Sequence, residues 1–277
     1  MSGFSGHLSL VAAARTDGRT VLASQSFRAP FHLSKPYWDP EAGALLVQVV
    51  NPTAGILAGD RLESRIAVGR DAALLVTTPS ASRVFQMRQG AGAAEAHQHF
   101  AVASGGWLEV LPEPLVPHRG SRYRQVTTVE VEPGGRLFFV DQLMPGRLGH
   151  DEAWAWERLQ LELSVRAGGE LVLRERFDQR GEDLHALAGL AGTGSQACFA
   201  NAILIDDSTA GTVPPWRPEV SALHTAGVWV GVSALRRHGW SLKLVAPGPV
   251  ALRATLRELR RILAGYFSRM RCDTRKV

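Results

Sequence analysis

Lysine is nearly missing from this chain. Lys35, Lys243 and Lys276 are the only lysines in 277 residues, so arginine supplies almost all of the positive charge. The formal net charge is +5 and the pI is about 9.7. Such a field suits nucleic acid, an anionic membrane or an acidic protein partner, and it also serves plain solubility. Cysteine is scarce as well. Cys198 and Cys272 stand alone with no C-x-x-C spacing, which excludes a disulfide framework and argues against a structural zinc site. No basic segment followed by an apolar core marks the N-terminus, and no apolar run reaches the roughly 18–20 residues of a membrane span. The expectation is a soluble cytoplasmic protein.

Catalytic signatures are missing too. Gly189-Leu190-Ala191-Gly192-Thr193-Gly194 has the wrong spacing for a phosphate loop and no lysine after it. No G-x-S-x-G occurs, so a nucleophile elbow is unsupported. With 45% hydrophobic residues, however, the chain can bury a sizeable core and is not disordered.

What is present is a long series of short strand signals between turns. Leu8–Ala14 and Thr20–Phe27 flank Thr16-Asp17-Gly18, a hairpin pattern. Further strands are expected at Leu45–Val50, Leu62–Val68, Ala73–Thr78, Arg83–Met87, His97–Val102, Trp107–Val110, Arg124–Val131 and Arg136–Gln142. Trp156–Val165, Glu170–Phe177, Cys198–Ile205, Val228–Leu235 and Trp240–Val245 continue the series, with Arg237-His238-Gly239 as the last turn. This spacing, without crossover helices in the first half, predicts an all-β array rather than a doubly wound parallel sheet. Glu182–Gly194 is rich in small residues and reads as a loop or short helix, the one plausible hinge. The strands on both sides look alike, so residues 1–277 are read as a single domain.

One strong helix is predicted over Ala251–Phe267. Leu252, Leu256, Leu259, Leu263 and Phe267 recur at helical spacing, while Arg253, Arg257, Arg260 and Arg261 occupy much of the other side. It reads as a cap on an open sheet face or as a docking helix for a partner. A weaker helix is predicted at Glu219–Thr225.

Few side chains suggest chemistry. His97 and His99, two apart in a strand, share one face, which reads as solvated. His118 and His150 are loop histidines. Glu109 and Glu113 flank Val110-Leu111-Pro112 and are read as surface carboxylates; as a catalytic pair they, or Asp60, would make the chain a β-scaffold hydrolase. A nucleic-acid binder rests on net charge alone. Asp60 closes a Gly55-Ile56-Leu57-Ala58-Gly59-Asp60 turn, where its carboxylate can cap backbone N–H groups, pair with Arg61 or Arg83, or meet a passing cation. Thr77-Thr78-Pro79-Ser80 is a rigid, hydroxyl-rich strand end.

Together these segments resemble the UreD (UreH) family of urease accessory proteins. The family's Pro-Pro-Gly-Gly-Ile-Val-Gly-Gly-Asp stretch stands here as Pro52-Thr53-Ala54-Gly55-Ile56-Leu57-Ala58-Gly59-Asp60, with Ala54 and Ala58 in place of glycines. Its Leu-Leu-Thr-Thr-Pro-Gly-Ala-Thr-Lys segment is similar to Leu75 through Arg83. Its Leu-Glu-Trp-Leu-Pro-Gln is similar to Leu108 through Glu113, with Val110 in place of the tryptophan, and its Leu-Gly-Arg to Gly146-Arg147. The match is collinear from about Pro30 to Phe177. The structural motif residues are thus Gly55, Gly59, Asp60, Thr77, Thr78, Pro79 and Arg83.

The resemblance implies a mostly β fold: an extended helical array of sheets with helices near one end. It further implies a non-enzymatic chaperone in nickel insertion. Its partners would be urease apoprotein, UreF and, through UreF, the GTPase UreG, with a dimer of heterodimers with UreF as the assembly. No tightly bound cofactor, nucleic acid or membrane is expected. Nickel would be the ion transferred, with Asp60 and Glu175 as candidates for its passage.

Overall fold

The computed structural model describes residues 5–88, 90–190, 194, 196–206, 213–236 and 239–274. An antiparallel hairpin of β1 (Ser5–Ala14) and β2 (Thr20–Arg28) opens the chain around the Thr16-Asp17-Gly18 turn. Short β3 (His32–Leu33) and β4 (Tyr37–Asp39) then lead to β5 (Ala44–Val50). Three similar coils follow. In the first, β6 (Arg61–Val68) turns into β7 (Ala73–Thr77) and β8 (Ser82–Val84). In the second, β9 (Ala94–Val102) turns into β10 (Trp107–Leu111) and β11 (Leu115–Pro117). In the third, β12 (Arg122–Val131) turns into β13 (Arg136–Leu143). A hairpin, β14 (Arg158–Ala167) and β15 (Glu170–Gln179), precedes α1 (Gly181–Leu190). The remaining elements are β16 (Cys198–Ile205), α2 (Arg217–Ser221), β17 (Trp229–Ala234), β18 (Gly239–Ala246) and α3 (Pro249–Ala264).

The coils stack in parallel. β6, β9, β12 and β14 lie side by side in a seven-stranded sheet, and β5, β7, β10 and β13 in an eleven-stranded one. The fold is therefore mostly β, with multiple sheets wound by short corners instead of crossover helices. Those corners repeat. A buried valine (Val68, Val102, Val131) ends each of β6, β9 and β12. Three residues later the backbone is left-handed, at Asp71 (φ 59°), Gly105 (φ 73°) and Gly134 (φ 77°). Glycine suits that conformation, and aspartate tolerates it better than most residues do. The corners are tied together by N–H donation from Ala103 to the Val68 carbonyl and from Glu132 to the Val102 carbonyl, each 2.9 Å.

The two sheets face one another across an apolar interior. Near the corners, Ile66, Phe100, Val129 and Val165 of the first sheet meet Val76, Leu108, Leu137 and Phe139 of the second. At the opposite end a separate cluster gathers Ile56, Val84, Met87, Trp154, Trp156 and Leu159.

α3 covers the outer face of the eleven-stranded sheet. It buries Leu252, Leu256, Leu259, Ile262 and Leu263 against Leu75, Phe138, Ala202, Leu242 and their neighbours. Phe267 lies just beyond the helix, beside Trp107, with ring centroids 5.5 Å apart. Four leucines of the predicted stripe thus face the core, which makes α3 a cap on the sheet.

Several boundaries differ from expectation. The strand expected at Arg83–Met87 spans Ser82–Val84, because the Phe85 N–H turns away to the Ile56 carbonyl (2.9 Å). The strand expected from Trp156 starts at Arg158, since Trp156 is buried beside Trp154. The helix expected at Glu219–Thr225 is α2, starting earlier because Pro218 occupies its first turn. Glu182–Gly194 contains most of α1; Ala191, Gly192 and Thr193 of the small-residue run lie outside the described residues, as do Arg237 and His238 of the last turn. No helix among the described residues is long and apolar enough to cross a membrane.

Candidate functional site: a polar cavity between the sheets

Between the two apolar clusters the sheets enclose a cavity of about 450 Å³. Strand alternation decides its chemistry. On the inner face of the first sheet, Ser64, Gln98 and Thr127 occupy one cross-strand row, and Gln125 sits in the next. These polar groups satisfy one another. The Tyr123 hydroxyl donates to Gln125 Oε1 (3.1 Å), Gln125 Nε2 to Thr127 Oγ1 (3.4 Å), and Thr127 Oγ1 to Gln98 Oε1 (3.1 Å). A hydrogen-bonded chain thus crosses a wall that would otherwise be apolar.

The facing wall carries charge. On the second sheet Asp141 stands opposite Asn201, and Asn201 opposite Lys243. Glu175 reaches this row from β15, at the edge of the first sheet. Its Oε2 accepts Asn201 Nδ2 (2.8 Å) and its Oε1 accepts the Lys243 ammonium, which also donates to Asn201 Oδ1 (2.9 Å). Burial pushes the Asp141 carboxyl up to about 7; the nearby Glu175 charge adds to the rise and Lys243 opposes it. Burial, helped by Asp141, also raises the Tyr123 phenol, which stays protonated as a donor.

The expected residues fall in different places. Glu175 lines the cavity. Asp60 is buried but caps its own turn: its Oδ2 accepts the Leu57 N–H at 2.8 Å and its carbonyl accepts the Glu95 N–H at 2.8 Å. The two motif segments clamp one another, for the Ile56 N–H donates to the Arg83 carbonyl (2.7 Å). A Cβ at Gly55 would lie 2.7 Å from that carbonyl and 2.6 Å from the Phe85 ring. Gly55 and Gly59 both have positive φ, whereas Ala54 and Ala58 do not. The glycines retained in this turn are therefore those its backbone requires, and the alanines sit where the backbone does not call for glycine. Thr77 Oγ1 bonds the Leu111 carbonyl (2.8 Å); Thr78 accepts the Glu113 N–H (2.8 Å) and, with Pro79 and Arg83, edges the cavity.

Glu109 corrects the surface reading. It is fully buried under α3, where Arg260 grips both carboxylate oxygens at 2.6 and 3.1 Å and also reaches the Cys272 carbonyl (2.9 Å). Burial pushes its carboxyl above the usual range, opposed by Arg260. The Val110 side of β10 faces the other sheet, so alternation turns Glu109 to the helix. Glu113 is partly exposed and pairs with Arg253 (3.0 Å). His97 is exposed, and His99 bonds Thr128 at 3.0 Å on the outer face. His118 is buried against Phe85, and its Nε2 has no hydrogen-bond partner among the described residues. Its pKa is lowered by burial and by Arg147. Among the described residues, no group of three or more His, Cys, Asp or Glu is arranged to hold a metal ion.

Sequence reasoning missed Asp141, Asn201 and Lys243. The signal was present: Leu137, Phe139 and Asp141 share one strand face, so an acid stands where alternation calls for an apolar side chain.

Comparison with known proteins places this architecture. The family model described as UreD urease accessory protein matches residues 5–276. The chain belongs to the UreD family. A urease accessory protein UreD of Opitutus terrae is 63% identical over 274 residues, covering 99% of both chains. A UreD of Deinococcus radiodurans is 33% identical across 88% of this chain and 84% of its own. A UreD 2 of Streptomyces griseus is 32% identical across 94% and 90%. UreD membership gives the chain an accessory role in urease maturation, and the cavity lies inside the residues that the family model matches.

Proposed function

We propose that this chain is a non-enzymatic scaffold of urease maturation that conducts nickel through the cavity between its sheets. It binds urease apoprotein and UreF in the cytoplasm, engages UreG through UreF, and works as a heterodimer with UreF that can pair again. The observation that carries the reading is the interior wall itself. A sandwich core is ordinarily apolar, yet here amides, hydroxyls, Asp141 and Glu175 line a space large enough for a hydrated ion. Carboxylate and amide oxygens bind a divalent first-row ion weakly compared with imidazole or thiolate sets, which suits an ion that must leave again. Glu175 acts at the passage, and Asp60 supports it by fixing the turn beside its edge.

The experiment is reconstitution of nickel-dependent urease activation from apoprotein, UreF, UreG and this chain. Omitting the chain is expected to abolish activation, and equal urease activity without it would end the scaffold reading. Asp60→Ala is expected to lower activation while the circular dichroism spectrum stays native, since a lost cap costs only about 1 kcal/mol. Unchanged activation, or a collapsed spectrum, would remove Asp60 from any role in the passage.

A further inference from the structure

Lys243 is one of very few lysines in an arginine-rich chain, and it occupies an inner-face position beside two carboxylates. Its ammonium closes a ring with Glu175 and Asn201 that bridges the two sheets. The Lys243 side chain is 52% exposed and that of Glu175 29%, so the ring sits at the rim of the cavity. Asp141 lies two strands further in along the same row, and no described residue donates a hydrogen bond to its carboxylate. Two carboxylates thus share one mobile cation. An arginine there would grip Glu175 as a rigid two-pronged fork, whereas a lysine offers a compact charge on a flexible stem that can withdraw into water.

We propose that Lys243 is the resident counter-ion of the passage: its ammonium holds the place of a divalent cation at Glu175 and swings out to solvent when such an ion enters. The proposal rests on the passage reading above. The entering ion takes Glu175 and the Asn201 amide oxygen first, then the vacant Asp141 carboxylate. The return of the ammonium restores charge balance and helps release the ion, so the site exchanges cations without retaining them.

The test uses the purified full chain and nickel(II) alone in equilibrium dialysis, beside the activation assay. Lys243→Met is expected to bind nickel about tenfold more tightly, the scale of losing one partly screened competing charge. Lys243→Arg should not bind more tightly than wild type, and Glu175→Gln in the Lys243→Met background should erase the gain. Activation by Lys243→Met should be slower, because the ion is held. Wild-type nickel affinity in Lys243→Met overturns the proposal; if Glu175→Gln still blocks activation, the passage reading survives that failure. Tighter, Glu175-dependent binding with normal activation in both variants sinks the passage reading instead and leaves the counter-ion standing. Should Lys243→Met fail to fold by circular dichroism, Lys243→Gln decides by the same criteria.

Discussion

The eleven-stranded sheet has two faces built from the same strands, and they are chemical opposites. On β13, Phe138 and Val140 lie under α3 while Phe139 and Asp141 face the cavity. On β18, Leu242 and Leu244 meet the helix while Lys243 faces inward. The helix face is closed by apolar side chains around a buried ion pair, Glu109–Arg260, whose partners satisfy one another at 2.6 and 3.1 Å. The cavity face holds Asp141, to which no described residue donates a hydrogen bond, and a ring of Glu175, Asn201 and Lys243 open to the rim. A buried charge with a fixed partner ties parts of a fold together, whereas one with a mobile partner or none leaves room for something to bind.

Four changes would break or sharpen this contrast. The largest effect is expected from truncation after Pro249. It uncovers the face sealed by five buried α3 side chains, a loss on the order of 10 kcal/mol, comparable with the whole stability of a domain. The truncated chain should be insoluble on expression. A soluble, native truncation that merely fails to co-purify UreF would recast α3 as a docking helix. Next, Glu109→Gln should cost about 3–5 kcal/mol in urea unfolding by leaving Arg260 buried without its anion. Glu109→Leu with Arg260→Met should recover most of that, and a mild effect of the single change would mean that this face is wetter than its packing indicates.

Asp141→Asn should do the reverse and stabilise the chain. The folded carboxyl titrates near 7, above its unfolded value of about 3.9, so its charged form is the costly one. Wild-type stability therefore falls as pH climbs from about 4 through 7, and the asparagine variant escapes that loss. The variant's advantage should reach about 2–3 kcal/mol at pH 8 and vanish near pH 4, read as melting temperature against pH. An advantage that persists at pH 4 would mean that charge is not the cause. The smallest effect concerns Glu152, which Arg147 binds at 2.8 Å and which is held at about 2, chiefly by that hydrogen bond. Its contribution is present above about 4.5 and lost as pH falls toward 2. Glu152→Gln should therefore lower the melting temperature slightly at pH 6 and not at all near pH 2.

Much of this was legible in the sequence. Short strands, the first hairpin and the apolar stripe of α3 follow from periodicity and turn chemistry, which are local. The parallel coils were less legible. Their corners repeat a valine followed three residues later by Asp71, Gly105 or Gly134, but the aspartate and the unequal spacing hide the repeat. Glu109 looked like a surface acid because its neighbours do not reveal that α3, some 150 positions away, would deliver Arg260. Asp141 was visible as a break in alternation, yet nothing local said that Glu175 and Lys243 would join it.

By itself, then, the sequence determined the β character, the turns that Gly55 and Gly59 permit, the amphipathic closing helix and the family. Tertiary structure decided which acids are sealed with a partner and which face open space. Alternation assigns a side chain to one of two faces, but only the stacking of one sheet on another decides whether that face is dry or wet.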